Sequence, residues 1–234
     1  MSDPTITNCD LGSPLLLSGT FRDELITFAG ADTFAAGTIL ARQAVSTTIT
    51  VVADEGNTGD GTVTATVTAG TEVPAPGAWT LTCTEAVTNG GVFRLNDPDG
   101  SIQSTGLTLT PASAGSTTLE VKGMTLIVTD GDADFAAGDL FTLTVAANGK
   151  MVPFSLTGAG GAQFPKAILT YDVTAASAGD VAARVAVTGQ FRKERLIIDA
   201  DGDDTNVSAA VLDQLRSYGL VAQNVSELLD LDNQ

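Results

Sequence analysis

Alternating aspartates are the first residues in this sequence whose type and spacing could support chemistry. DADGDD (199–204) places an aspartate at its first, third and fifth positions, as in the oxygen-ligand loop of a calcium site. The sixth position is Asp204, where that loop needs a glycine, and the twelfth is Ala210, where it needs a glutamate. We therefore interpret the segment as a solvated turn before a helix, whose N-terminus favours acidic residues.

Two other charged clusters carry weaker signals. DGDAD (130–134) alternates in the same way but has no distal acid in register, so we interpret it as a polar hairpin turn. RKER (192–195) is the only basic cluster; we expect a solvated turn there, with pairing to a neighbouring carboxylate or to a partner's acidic patch as the alternatives.

The residue types for common enzyme chemistry are missing. The chain has no histidine, which excludes Ser-His and Cys-His nucleophile pairs and the commonest metal ligand. No phosphate-binding loop or G-x-S-x-G motif occurs, and Cys9 and Cys83 lack the close spacing of a metal site. We predict two free thiols, with a disulfide between them as the alternative, and no catalytic residues, metal, cofactor or enzymatic activity.

The charge balance excludes further classes of partner. Eleven Lys and Arg against 28 Asp and Glu leave a net charge of −17, which repels both nucleic acid and anionic membranes. No apolar run approaches the roughly 20 residues that a membrane helix needs, and MSDPTITNCD lacks the pattern of a secretory signal. We expect a protein with neither nucleic-acid nor membrane contacts.

Most of the chain alternates between polar and apolar residues, which is the pattern of half-buried strands. TVTATVT (62–68) is the clearest case, with Val63, Ala65 and Val67 on one face and threonines on the other. Gly- and Asn-rich turns separate the segments. The pattern predicts a mainly β protein of short strands, as in sandwiches or small barrels. The other alternating segments are 47–53, 79–86, 107–110, 118–121, 124–129, 141–146 and 183–189.

One segment has helical spacing instead. NVSAAVLDQLRSYG (206–219) places Val207, Val211 and Leu215 at intervals of four, so they share one face of a helix. We expect Thr205 or Asn206 as the N-cap and the final glycine at the C′ position.

One phrase occurs twice. GADTFAAGTIL (30–40) and GDADFAAGDLF (131–141) share Phe-Ala-Ala-Gly after an aspartate-containing start. We interpret both as the same kind of turn, ending one strand and starting the next; a duplicated segment is the alternative.

Gly-rich links at 54–61 and 146–150 enclose a Thr-rich middle. Because the N-terminal piece is too short for its own core, we expect it to fold with the C-terminal piece. The predicted division is an N-terminal arm (1–20), a discontinuous domain (21–56 plus 148–234) and an inserted β-sandwich (57–147).

Three stretches outside the middle resemble one family. They are SPLLLSGTFRDELITFAGADTFAAGTILAR (13–42), GKMVPFSLTGAGGAQFPKAILTYDVTAASAGDVAARVAVTGQFRKERLIID (149–199) and VLDQLRSYGLVAQ (211–223). Together they are similar to the head decoration, or capsid-stabilising, proteins of tailed bacteriophages, the family of the phage lambda D protein. FSLTGAGGA (154–162) departs from the family's commoner Y-D-P-x-A-x-D-G, and the middle resembles an immunoglobulin-like insertion of some relatives.

The resemblance implies a lambda-D-like decoration domain, a small β fold with a C-terminal helix, interrupted by a β-sandwich. It also implies a structural virion protein, made in the host cytoplasm and placed on the outer surface of the expanded capsid. Its implied partners are the major capsid protein and further copies in a homotrimer, which stabilises the head against internal DNA pressure.

The first twenty residues would be the capsid-binding arm. The stretch is polar and extended around two prolines and then becomes apolar, so it could add a strand to an open sheet edge of the capsid protein. The predicted contact residues are Thr5, Ile6, Thr7, Leu15, Leu16 and Leu17.

Other functions stay open at this point. A surface β-sandwich that binds glycans or cells is one alternative, and a phage tail or fibre subunit is another. Threonine ladders can bind ice or sugars, although threonine is also the ordinary residue of a wet strand face. The inserted segment could contact a host surface, brace neighbouring trimers or do neither.

Overall fold

The protein is mainly β, as the alternating pattern predicts. A computed structural model describes residues 15–70, 72–110, 115–198 and 207–224. In chain order the elements are β1 Leu16–Phe28, β2 Asp32–Phe34, β3 Ile39–Arg42, β4 Val45–Ala53, β5 Thr62–Val67, β6 Gly77–Val87, β7 Gly90–Asn96, β8 Ile102–Leu109, β9 Ser116–Val121, β10 Met124–Thr129, β11 Leu140–Ala147, β12 Met151–Pro153, β13 Pro165–Leu169, β14 Val173–Ala175, β15 Gly179–Arg192, α1 Ala209–Ser217 and β16 Leu220–Gln223. Every alternating segment predicted as a strand is confirmed.

The chain forms two compact units. The first contains residues 1–40 and 165–234, and the second contains residues 41–164. The boundaries predicted from the sequence, after residues 56 and 147, both lie inside the second unit. The division into arm, discontinuous domain and insertion stays a prediction.

The longest strand pairing of the first unit joins β1 to β15 in a ribbon that belongs to a six-stranded sheet. β1 runs antiparallel to β15 from Leu16 opposite Phe191 to Phe28 opposite Gly179, with irregularities between Leu16 and Ser18 and between Thr20 and Phe21. β13 pairs with β15 in the antiparallel orientation, and β16 pairs with β15 in the parallel orientation. β2 and β14 form a separate pair. β1 is therefore paired with β15 along its whole length.

The core of the first unit lies beneath one face of this ribbon and beneath α1. Val211 and Leu215 are buried, and Val207 is buried just before the helix. The helical face predicted from the sequence is therefore confirmed. The cap prediction was wrong, because the helix begins at Ala209 and the Oγ of Ser208 accepts the N–H of Val211. Gly219 follows the helix with a φ of +79°, as expected for a C′ glycine.

The second unit is one eight-stranded sheet in the order β8-β7-β6-β11-β4-β5-β10-β9. Its inward side chains form a single core, because β4 pairs with β11 on one side and meets β5 through Thr48 and Thr66 on the other. Val63, Ala65 and Val67 are buried and the intervening threonines are exposed. Trp79 is buried, as predicted, and its Nε1–H donates to the Ala75 carbonyl at 2.9 Å.

The repeated phrase forms the same turn in both places. The N–H of Thr38 donates to the Ala35 carbonyl, and the N–H of Asp139 donates to the Ala136 carbonyl. Gly37 and Gly138 have φ values of +99° and +106°, which is the glycine position of a type II turn. The first copy links β2 to β3, whereas the second precedes β11 without a strand directly before it. The turn prediction is thus confirmed in full only for the first copy.

The segment that departs from the family pattern packs closely within the second unit. Ala159 forms an isolated β-bridge with Ala69, and the Gly160 carbonyl accepts the N–H of Ala44 at 2.7 Å. A side chain at Gly161 would lie 2.5 Å from the Arg42 carbonyl. The glycines of FSLTGAGGA therefore allow close backbone approach.

Candidate partner-binding surface

The residues predicted to bind the capsid fall in two places. Thr5, Ile6 and Thr7 lie outside the described residues. Leu15 is half-buried, and its carbonyl accepts the N–H of Arg192 at 3.0 Å. Leu16 and Leu17 belong to β1, where Leu16 lies opposite Phe191 and Leu17 lies at a register irregularity. Leu15 and the residues before it thus precede β1, and a capsid-binding role for all six stays a prediction.

The exposed face of β1 carries an apolar stripe. Leu17, Phe21 and Leu25 are 40%, 41% and 48% exposed. They are four residues apart, and side chains at even spacings share one face of a regular strand; Leu17 lies at the register irregularity between Leu16 and Ser18. The opposite face contributes Ile26 and Phe28 to the core. β1 is therefore apolar on both faces only around Leu25, because Ser18, Thr20 and Arg22, which alternate with Leu17 and Phe21, are polar and exposed. Apolar residues on both faces are unusual for a strand with one face in water.

Arg184 of β15 and Tyr171 of the loop after β13 lie beside the centre of this stripe. The guanidinium carbon of Arg184 lies 5.3 Å from the centroid of the Phe21 ring. The exposed side chain of Tyr171 accepts the backbone N–H of Arg184 at its hydroxyl, at 3.0 Å. Asp23 lies directly across the ribbon from Arg184. We call Leu17, Phe21, Leu25, Tyr171 and Arg184 the β1 patch.

Sequence reasoning found one member of this patch and missed four. The spacing of Leu17, Phe21 and Leu25 was a usable signal, since alternate residues of a strand point the same way. The positions of Tyr171 and Arg184 depend on the pairing of β15 with β1, which no local pattern specifies. Phe and Tyr rings next to an Arg are typical of the centre of protein–protein interfaces.

The Asp-rich turn at 130–134 belongs to a network of loops. Asp139 is 4% exposed, and its carboxylate accepts the N–H groups of Thr58, Gly59 and Ala136 at 2.8–3.0 Å. Burial opposes ionisation of this carboxyl, but the three backbone N–H groups outweigh burial and lower its pKa. Asp134 accepts the N–H of Asn89 at 2.9 Å. The aspartates here hold loops together.

The pKa of Asp130 is shifted in the opposite direction from that of Asp139. Burial raises the pKa of its carboxyl, and the nearby charges of Asp134 and Asp60 add to this effect. Its Oδ1 is buried and has no hydrogen-bond partner among the described residues. Within those residues no group of three or more acidic or cysteine side chains could hold a metal ion. The other alternating segment, 199–204, lies outside the described residues.

The basic cluster is partly buried. Arg192 is buried, with its Nη1 3.5 Å from the exposed Glu194 carboxylate, and Lys193–Arg195 form one 3-10 turn. The carboxylate pairing considered from the sequence is confirmed for Arg192. Cys83, the one cysteine among the described residues, is buried and free, and burial raises the pKa of its thiol.

A cavity of about 340 Å³ opens on the second unit beside the β9–β10 hairpin. Its charged lining residues are Glu72, Glu120 and Lys122, and Lys122 pairs with Glu72 at 3.6 Å. No aromatic residue lines it among those described, whereas sugar-binding sites use aromatic faces. No helix in the described part of the chain has the length and apolar character needed to span a bilayer.

A family model matches most of the chain. The model is that of the bacteriophage lambda head decoration protein D, and it matches residues 10–220. The chain belongs to this family. The resemblance inferred from the three quoted stretches is thereby confirmed, and the family supports a structural role in phage head decoration and a place on the virion capsid. An immunoglobulin-like nature of the middle segment stays a prediction.

Other comparisons add little. No curated protein matches. FlgL of Xanthomonas campestris has a TM-score of 0.34 at 17% identity, over 49% of this chain and 34% of that one. The flagellar hook junction protein FlgK of Burkholderia pseudomallei has a TM-score of 0.33 at 24% identity, over 56% of this chain and 21% of that one. This chain therefore spans about a third or less of those two structures, and TM-scores so low support no conclusion.

Proposed function

We propose that this protein binds the outer surface of the expanded phage head as a homotrimer and stabilises the head against internal DNA pressure. The observation that carries the proposal is the family match across residues 10–220. The partner is the major capsid protein, contacted first by the arm that precedes β1. The protein acts by binding, without catalysis or cofactor.

The structure supports separate roles for the arm, which binds the capsid protein, and for the folded units. β1 starts at Leu16 and is paired with β15 along its length, so we expect this pairing to persist when the residues before it are removed. An arm that adds a strand to the capsid protein gains backbone hydrogen bonds. Three arms in one trimer make release slow, because all three must dissociate together.

Co-sedimentation with expanded, undecorated heads tests the proposal. The full-length chain is compared with a variant lacking residues 2–14, which leaves Leu15 and β1 in place. We expect only the full-length chain to pellet with heads, while both chains show the same circular dichroism. Failure of the full-length chain to pellet would contradict the decoration role, and equal binding of both chains would contradict the arm.

Two further measurements test the trimer and the stabilisation. Chemical cross-linking of the protein bound to heads should give a product of three chains. Heads packed with DNA should release it at a higher temperature after decoration, as measured by the access of a nuclease. Monomeric cross-linking patterns or an unchanged release temperature would contradict these two parts separately.

A further inference from the structure

The β1 patch has the properties of an interface but is exposed in the free chain. Four of the five exposed large apolar or tyrosine side chains in the described part of the first unit belong to it; the fifth is Tyr218. Leu17 and Leu25 are separated by eight residues, or about 27 Å along a strand. The patch is therefore a narrow strip of exposed apolar side chains, with Gly19 and Asp23 at the intervening positions, and exposed apolar patches mark interaction sites.

The centre of the strip is held in place. Arg184 lies over the Phe21 ring, and the Tyr171 hydroxyl accepts the Arg184 N–H. Both rings are therefore fixed by contacts within the subunit before any partner binds, which lowers the entropy cost of binding. Arg184 and Asp23 lie opposite each other and differ in sign, and Arg22 and Glu24 of β1 add one charge of each sign. These four charges balance, so no net charge opposes an apolar contact here.

The position of the strip identifies the partner. Fourteen residues precede Leu15, and Leu17 follows immediately as the first member of the strip. A protein that holds the segment before Leu15 lies within about 10 Å of Leu17, at the rise of an extended chain. From there the strip continues along the same strand without a turn. The protein that receives the arm is placed to cover the strip as well.

We infer that the β1 patch is a second contact with the major capsid protein, extending the arm contact along the exposed face of β1 to Leu25. This inference rests on the proposed function. It predicts that the capsid protein offers an apolar groove beside the place where the arm binds. A second copy of this chain on the patch is the competing occupant, and the test separates the two.

The first measurement is the binding curve of the full chain on undecorated heads. The double variant Phe21→Thr, Leu25→Thr removes the apolar side chains but keeps strand-forming residues. Val52→Thr is the matched control, because Val52 is 58% exposed on a strand of the second unit. We expect binding at least about tenfold weaker for the double variant, as for truncated interface hot spots, and unchanged binding for the control.

The second measurement identifies the neighbour. A photo-cross-linking phenylalanine analogue replaces Leu25 in the full chain, which is then irradiated on heads and alone at high concentration. A product with the capsid protein supports the inference, and a product of two copies of this chain overturns it. Wild-type binding by a folded double variant, with no product on heads, also overturns it while leaving the decoration role standing. Absence of any wild-type binding removes the decoration role and the inference with it.

Discussion

The backbone N–H of Thr58 donates a 2.8 Å hydrogen bond to Oδ1 of Asp139, which lies 81 residues further along the chain. The same carboxylate accepts the N–H groups of Gly59 and Ala136. One buried side chain thus joins the loop after β4 to the turn before β11. In the first copy of the repeated phrase the matching residue is Thr38, whose hydroxyl donates to Ala35 within the turn.

Asp139→Asn should destabilise the second unit by about 1–3 kcal/mol at pH 7, because buried N–H groups lose their anionic acceptor. The folded-state pKa of Asp139 is below that of an unfolded aspartate. Its stabilising effect is therefore present above the unfolded pKa and is lost as the pH falls through the folded pKa. Urea unfolding followed by the fluorescence of Trp79, the only tryptophan, should show this loss in the wild type and not in the variant.

Asp130→Asn is the control with the opposite sign. The folded-state pKa of Asp130 is raised, so its favourable contribution exists below the unfolded pKa and disappears as the pH rises through the folded pKa. The variant should unfold at the same or a higher urea concentration than the wild type at pH 7. Strong destabilisation by Asp130→Asn, or none by Asp139→Asn, would contradict this account of the loops.

The two turn glycines should differ in their tolerance of a methyl group. A Cβ at Gly37 would lie 1.8 Å from the Arg195 carbonyl oxygen, whereas a Cβ at Gly138 would meet nothing within 4 Å. Both have positive φ. Gly138→Ala should cost about 1–2 kcal/mol for the backbone conformation alone, and Gly37→Ala about 3 kcal/mol or more because the backbone must also move. Differential scanning calorimetry of the two full-length variants compares the costs, and equal costs would refute the steric explanation.

The N-cap of α1 can be assigned by substitution. Ser208→Ala should destabilise the first unit by about 1 kcal/mol, because the N–H of Val211 loses its acceptor. Ser208→Asp should restore the stability, since an aspartate caps the helix and suits its dipole. Thermal unfolding followed by circular dichroism measures both. If Asn206→Ala has the larger effect, the cap predicted from the sequence is the correct one.

The extent of the independently folding middle can be tested with fragments. Val45 and Ile49 of β4 lie in the core of the second unit, and β4 pairs between β11 and β5. A fragment of residues 41–164 should therefore fold, with buried Trp79 fluorescence and cooperative unfolding. A fragment of residues 57–147 lacks the central strand and should not. Cooperative unfolding of the shorter fragment would instead support the boundaries predicted from the sequence.

Local patterns predicted much of this fold. Alternation placed the strands because a half-buried strand must alternate, whatever it pairs with. The helix was found from Val207, Val211 and Leu215, but its start was placed too early, since Ser208 is as good a cap as the residues before it. The absence of histidine argued against common nucleophilic catalysis, and the spacing of the acids argued against a calcium site, before any geometry was known.

The candidate site was predicted less well. The leucines at 15–17 pointed to the N-terminal region, but only strand pairing divided them between the segment before β1 and β1 itself. Phe21 and Leu25 look like ordinary alternating residues until burial shows that the core lies on the other face. Arg184 and Tyr171 reach the patch from sequence positions more than 140 residues away.

By itself, the sequence determined the elements: which segments alternate, which segment is helical, where glycine permits a turn, and which family the chain resembles. The elements follow from side-chain periodicity and backbone sterics, which act over a few residues, whereas the family resemblance comes from the three quoted stretches. The tertiary structure alone decided which side chains of β1 are exposed to water, which carbonyl oxygen lies close to Gly37, and which N–H groups share the Asp139 carboxylate. Those relationships join residues far apart in sequence, and only the packing of the whole chain can specify them.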